Sequence, residues 1–288
     1  VGQYHPYIIY LVNDWVVRSP FFGRFSKSFG FYPVKEGAEG SAEQIQKRIG
    51  SLSSVVVFPE GTRSYSHEIG RFHKGAFYLA DELKMPIQPI HLHGISEVIP
   101  KGDFMIYDGH IFNVVEPFIE FDDASFGETY TERTKKISRQ FKTRFAEIRK
   151  EFEGVDYYKQ KLFFNYLYKE QEIVQLVKRD FKKNKTAYLE LNHLLPEKGK
   201  FVHITTDVGK TDFLLLKHGP SRKLLTVIEN EDSRDVASAS YITKVRSVHY
   251  FQSYNEIQTT NSETLLISHN ANVSDEISSK YKKVVCFL

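Results

Sequence analysis

Three β-branched residues, Val55, Val56 and Val57, run into Phe58 and stop at Pro59. A short, wholly apolar run of this kind is the mark of a buried strand. Proline ends it because it has no N–H to give to a ladder. Glu60, Gly61, Thr62, Arg63 and Ser64 follow as a polar loop, and a basic stretch with Arg71, His73 and Lys74 leads into an apolar helix over 75–83. Strand, loop and helix in that order make one βα unit, which favours an α/β layer over an all-α or all-β fold.

The residue types in this loop suit an anion. Gly61 lets backbone approach closely. Arg63 offers a planar fork of donors that matches phosphate bidentately. Lys74 stands at a helix start, where the dipole also favours negative charge. Glu60 is placed either to hold Arg63 or to accept hydrogen bonds from a polyol. On residue types alone a surface turn with an incidental arginine fits equally well.

The alternation continues in both directions. Short apolar runs at 7–12, 30–34, 87–92, 104–107 and 111–115 read as strands, and Ser41 with Gln44 reads as a capping box opening a helix to residue 49. Over 128–154, Ile137, Phe141, Phe145, Ile148 and Phe152 recur at helical spacing, with lysines and arginines on the other faces. That polar side suits solvent or an anionic membrane surface. A second aromatic and basic helical stretch covers 157–184, with Leu162, Tyr166, Ile173 and Leu176 as inner positions. After a turn at 194–200 come strand 201–205, helix 212–218, strand 224–228, helix 233–241 and strands 264–268 and 284–288. Two α/β domains result, 1–153 and 154–288.

Net charge is +3, too small to argue for a nucleic-acid partner. One cysteine, Cys286, excludes a disulfide framework and points to a reducing compartment. No apolar run is long enough to span a bilayer. The first residue is Val, so the expectation is a piece of a longer protein.

The string Phe58-Pro59-Glu60-Gly61-Thr62-Arg63-Ser64 resembles the third signature block of the glycerolipid acyltransferases, the lysophosphatidic acid acyltransferase family. Lys74-Gly75-Ala76 resembles that family's basic-Gly step, and Met85-Pro86-Ile87-Gln88-Pro89 its fourth block. The resemblance implies transfer of a fatty acyl group from coenzyme A or acyl carrier protein to a lysophospholipid or glycerol-phosphate hydroxyl. It needs no cofactor beyond that acyl donor and no metal. Glu60, Gly61, Thr62, Arg63 and Lys74 are then the acceptor-binding set. Gly30-Phe31-Tyr32-Pro33-Val34-Lys35-Glu36 resembles the second block, with Glu36 where the family has Arg; Lys35 or Arg71 would have to supply that charge. The family's catalytic His with Asp five positions on is missing: none of the eleven histidines meets the spacing. The dyad is expected upstream of Val1, so no catalytic residue is assigned within the chain.

The second half resembles a class I methyltransferase, the Rossmann-like fold that binds S-adenosylmethionine. Gly209 and Glu229 stand where the cofactor loop and the ribose-binding acid would be. The glycine run itself is replaced by His203-Ile204-Thr205-Thr206-Asp207-Val208-Gly209, in which Thr205 and Asp207 would crowd the cofactor. The expectation is a fold kept without it. The pairing of units resembles composite bacterial proteins in which a membrane exporter precedes both, which implies the cytoplasmic face of the inner membrane. A non-catalytic lipid- or anion-binding module and a methyltransferase active on lipid are the competing functions.

Overall fold

The computed structural model describes residues 8–18, 30–34, 42–48, 54–64, 68–101, 105–245, 247–257 and 264–287. The chain divides into two compact units, Val1–Arg149 and Lys150–Leu288.

The N-terminal unit opens with β1 (Ile8–Asn13), α1 (Asp14–Arg18), β2 (Phe31–Val34), α2 (Ala42–Arg48) and β3 (Ser54–Val56). The three strands form a parallel sheet in the order β2-β1-β3, with Tyr10 opposite Phe31 and Ile9 opposite Val55. Parallel neighbours need crossover segments, which explains why short strands are separated by long connections. Helix α3 (Gly75–Glu82) follows, and its Leu79 joins Leu11, Tyr32, Ala42 and Ile45 in one core. Next come β4 (Ile90–His93), α4 (Ile95–Val98) and β5 (Phe112–Val115), β4 and β5 pairing antiparallel with Ile90 opposite Val115. Helix α5 (Tyr130–Phe152) buries Ile137, Phe145 and Ile148, the stripe that its periodicity predicts. Each such side chain contributes about 1.5–3 kcal/mol by leaving water.

Three expectations fail here. The run through Val57 and Phe58 is not a buried strand: β3 ends at Val56 and Phe58 is 54% exposed. No ladder covers 105–107, because the Tyr107 N–H goes to the Val98 carbonyl while Met105 and Ile106 face solvent. Strand 87–92 starts later, with Ile87 making only an isolated bridge to Ile119. Ser41, Lys35, Glu36 and Phe104 lie outside the described residues.

The C-terminal unit begins with α6 (Lys159–Asn165) and α7 (Gln171–Leu194). Then come β6 (Lys198–Thr205), α8 (Lys210–His218), β7 (Ser221–Val227), α9 (Glu231–Ser238), α10 (Ile242–Val245), β8 (Ser247–Phe251), β9 (Thr264–Ser268), α11 (Asp275–Ser278) and β10 (Lys283–Phe287). The sheet order is β10-β9-β6-β7-β8, and every adjacent pair is parallel. That is the order of the first five strands of a doubly wound Rossmann sheet, with its switch point between β6 and β9. The turn expected at 194–200 is shorter, since Lys198 and Gly199 already pair with Ser221 and Arg222. Leu176 is exposed rather than inward, while Leu162 and Tyr166 are buried. Strand β8 escaped sequence reasoning. Its signal was the alternation of exposed Ser247 and His249 with buried Val248. Among the described residues no helix is long and apolar enough to cross a membrane.

Candidate functional site

The signature loop is closed by its own backbone. Gly61 N–H donates to the Phe58 carbonyl at 2.9 Å, and His73 N–H donates to the Pro59 carbonyl at 2.7 Å. Gly61 sits at φ +65°, and a Cβ there would come 3.3 Å from the His73 ring. Glycine is therefore needed twice over, for the backbone angle and for the close approach.

Glu60 does not hold Arg63. Its Oε2 accepts the Gly70 N–H at 2.6 Å, across a gap that exists because Gly70 has no Cβ. Burial raises the Glu60 carboxyl above its ordinary range, against the pull of that N–H and of the Lys142 charge. Arg63 is anchored instead by Nη1, which donates to the Ile99 carbonyl at 3.1 Å and the Pro100 carbonyl at 3.3 Å. Among the described residues nothing takes its Nε and Nη2, so an edge of the fork stays open to solvent. Thr62 and Lys74 are exposed, and Lys74 is the residue capping the start of α3. The loop thus offers Arg63 and Lys74 as cations and the Glu60 carboxyl as an acceptor, all on one βα connection. Arg71 is exposed on the same connection.

The nearby histidines serve other ends. His73 packs against Gly61. His91 is buried in β4, its ring 3.7 Å from that of Phe141, and burial pulls it down to about 4, with Arg144 adding to the effect and Glu116 opposing it. It is neutral at physiological pH.

In the C-terminal unit, the switch point is filled from within. The Asp207 carboxylate caps α8: Oδ1 accepts from Gly209 N–H at 2.5 Å, and Oδ2 accepts from Thr211 N–H at 3.2 Å and from the Thr211 hydroxyl. Lys210, 2% exposed, turns its Nζ to within 3.4 Å of Asp207 and 3.5 Å of Asp180, and donates to His269 Nε2 at 2.9 Å. The Tyr188 hydroxyl donates to Asp180 at 2.5 Å. Beneath, His203 bridges Asp212 at 2.7 Å and Ser268 at 2.8 Å, all fully buried. Burial alone would raise the Asp207 carboxyl, but Lys210, His269, His203 and Thr211 outweigh it and hold it well below the usual range. Asp180 is held at about 2 in the same way: burial opposes, while His269, Lys210 and Tyr188 prevail.

Gly209 is a packing residue here. It stands at φ +85°, and a Cβ would meet that of Ala237 at 2.7 Å and the Tyr250 hydroxyl at 3.0 Å. Glu229 is exposed at the end of β7. Asp207 occupies the helix N-terminus that a doubly wound protein ordinarily offers to its ligand. Asp180, Tyr188, Lys210 and His269 were missed by sequence reasoning. Lys210 and His269 meet Asp180 and each other across thirty or more residues, and no motif links them.

Residues 2–93 match the Acyltransferase family model. The matched segment contains the signature loop, α3 and β4. A relative, the chloroplastic 1-acyl-sn-glycerol-3-phosphate acyltransferase BAT2 of Brassica napus, is 37% identical over 87 residues, 29% of this chain and 25% of that protein. The chain thus spans about a quarter of the length of the curated relatives it matches. Among solved structures, the 1-acyl-sn-glycerophosphate acyltransferase PlsC of Thermotoga maritima aligns with 49% of this chain and 56% of its own, at 18% identity and a TM-score of 0.41. The plantazolicin methyltransferase BpumL aligns with 40% of this chain and 48% of its own, at 12% identity and a TM-score of 0.25.

Proposed function

We propose that the acyltransferase-type segment binds the phosphate-bearing acceptor in acyl transfer from acyl-coenzyme A or acyl carrier protein to a lysophospholipid or glycerol phosphate, a step of phospholipid synthesis. The observation that carries this reading is Arg63. Two backbone carbonyls fix one guanidinium nitrogen and leave a donor edge free, which is the arrangement for bidentate recognition of phosphate. Lys74 adds a second cation. Glu60 and Gly61 shape the part of the site that meets the glycerol, and Thr62 is available to it as an exposed hydroxyl.

The chemistry is direct attack. The mechanism calls for a histidine, oriented by an aspartate five residues on, to take the acceptor hydroxyl proton; no histidine of this chain has that spacing. The oxygen adds to the thioester carbonyl, the C–S bond breaks, and the thiolate leaves with the proton returned by the imidazolium. No cofactor beyond the acyl donor is called for. We place the protein at the cytoplasmic face of the inner membrane, peripheral or tethered by an upstream membrane domain. The C-terminal unit has a Rossmann-like sheet, with the Asp207 and Lys210 ion cluster at its switch point.

The test is thiol release from an acyl-coenzyme A with lysophosphatidic acid, run on this chain and on one extended upstream through the native preceding residues. Release only from the extended form supports the proposal. Silence from both, with lysophosphatidic acid still bound, would leave a binding module.

A further inference from the structure

The turn that follows α6 carries exposed apolar side chains and is firmly held. Leu162 and Tyr166 are buried, and the Tyr166 hydroxyl donates to the Val208 carbonyl at 2.9 Å. The Asn165 side-chain oxygen accepts from the Ser240 hydroxyl at 2.9 Å and from the Tyr241 N–H at 3.3 Å. The helix closes with the Leu167 N–H on the Phe164 carbonyl and the Lys169 N–H on the Tyr166 carbonyl. Against this pinned frame, Phe164 is 55%, Leu167 53% and Tyr168 90% exposed. Phe164 lies in the last turn of α6, and Leu167 and Tyr168 in the hydrogen-bonded turn that follows it. Three large apolar side chains held outward on an ordered turn are not a product of looseness, and a clustered patch of this kind marks an interaction surface.

Cations lie beside it. The Phe163 ring packs edge-on against Phe181 of α7, and Lys178 Nζ lies 5.9 Å from the Phe163 centroid. The α7 side next to α6 therefore carries Lys178, and Arg179, Lys182 and Lys183 continue along the solvent side of the same helix, all exposed. None of these four makes an ion pair among the described residues. Glu170, which caps the start of this helix, and Glu172, in its first turn, are exposed acids at its N-terminal end.

We propose that the Phe164–Leu167–Tyr168 turn and the cationic side of α7 form one docking surface for an anionic phospholipid bilayer. Exposed lysines and an arginine beside exposed aromatic and aliphatic side chains complement an anionic headgroup layer. Phe and Leu enter the acyl boundary while the Tyr168 hydroxyl stays at headgroup level. The lysines and arginine lie over the anionic surface. This surface belongs to the C-terminal unit and stands apart from the acyl-transfer reading.

The experiment is sedimentation of the full chain with vesicles of phosphatidylcholine, alone or mixed with phosphatidylglycerol. Binding is expected to the mixed vesicles and to weaken with salt. Changing Phe164, Leu167 and Tyr168 together to serine lowers partitioning at least about tenfold. Changing Lys178, Arg179, Lys182 and Lys183 to glutamine removes the preference for anionic vesicles, at roughly fivefold per charge. Thermal unfolding of both variants stays at the parent value, since all the altered side chains are exposed. In Tyr168→Trp, vesicles shift the emission to the blue relative to the parent, whose one tryptophan is Trp15. The proposal is overturned if the parent ignores anionic vesicles, if the serine variant binds them equally, or if the emission of Tyr168→Trp moves no further than the parent's. It is also overturned if the serine change splits a dimer and leaves vesicle binding intact, because the turn then joins two copies. Thiol release is read separately and is unaffected by any of these outcomes.

Discussion

Replacing Lys210 by Met keeps the aliphatic stem and removes the charge. Two carboxylates, Asp207 and Asp180, then lose a cation that stands 3.4 and 3.5 Å away in a site where Lys210 and Asp207 are almost wholly buried. Breaking a buried pair from one side costs about 3–5 kcal/mol. Asp180 is partly open to water and His269 remains beside both acids, so the lower end, about 3 kcal/mol, is expected. For a unit of this size that is a fall of roughly 10 °C in the midpoint. The loss depends on pH. In the parent both carboxyls titrate below their ordinary range, so the stability they contribute is complete above about pH 4 and is lost as pH falls toward about 2. In Lys210→Met the same carboxyls rise, and the gap between variant and parent closes as they protonate. Hydrogen exchange of the Val202 and Leu224 amides reads this unit alone. Lys210→Met combined with Asp207→Asn should recover part of the loss, since removing both partners costs less than stranding one. A cost under about 1 kcal/mol near neutrality, or a double variant no better than the single one, would refute the reasoning.

Arg63→Lys keeps the charge but not the fork, and should raise the acceptor KM roughly tenfold in the extended enzyme with thermal stability unchanged. Gly209→Ala should destabilise by about 3 kcal/mol, combining left-handed strain with the clash against Ala237, as read by thermal unfolding. His91 is held at about 4, below an unfolded value near 6.5, so the unfolded chain takes the proton first and stability falls as pH drops through that window. The loss reaches roughly 3 kcal/mol, and denaturant titrations of His91→Phe should lack the slope.

The parts of the fold legible in sequence were those whose signal is local. The α5 stripe of Ile137, Phe145 and Ile148 repeats at helical spacing, and β6, β7 and β9 announce themselves as apolar runs. Residues 104–107 looked the same, but 105–107 have no strand to pair with among the described residues, which sequence cannot show. In the candidate site, Gly61, Arg63 and Lys74 could be named from their types and order. The anchoring of Arg63 by Ile99 and Pro100 could not, because carbonyls more than thirty residues away leave no trace in side-chain identity. Glu60 was legible as an acceptor, but its donor is a backbone N–H opposite a missing Cβ. The ion cluster at Lys210 was illegible for the same reason on a larger scale, its members coming from α7, the β6–α8 turn and the end of β9.

The position of β6 in its sheet has a consequence for synthesis. As the chain leaves the ribosome, β6, β7 and β8 emerge in order and can pair at once. The other side of β6 waits about sixty residues for β9. Until Thr264–Ser268 arrives, the strand destined for the middle of the sheet is an open edge, with a row of free N–H and C=O groups. A nascent or prematurely stopped chain is therefore most exposed to mispairing at β6. In the finished unit, the His203–Ser268 hydrogen bond is the seam where the early half and the late half were joined.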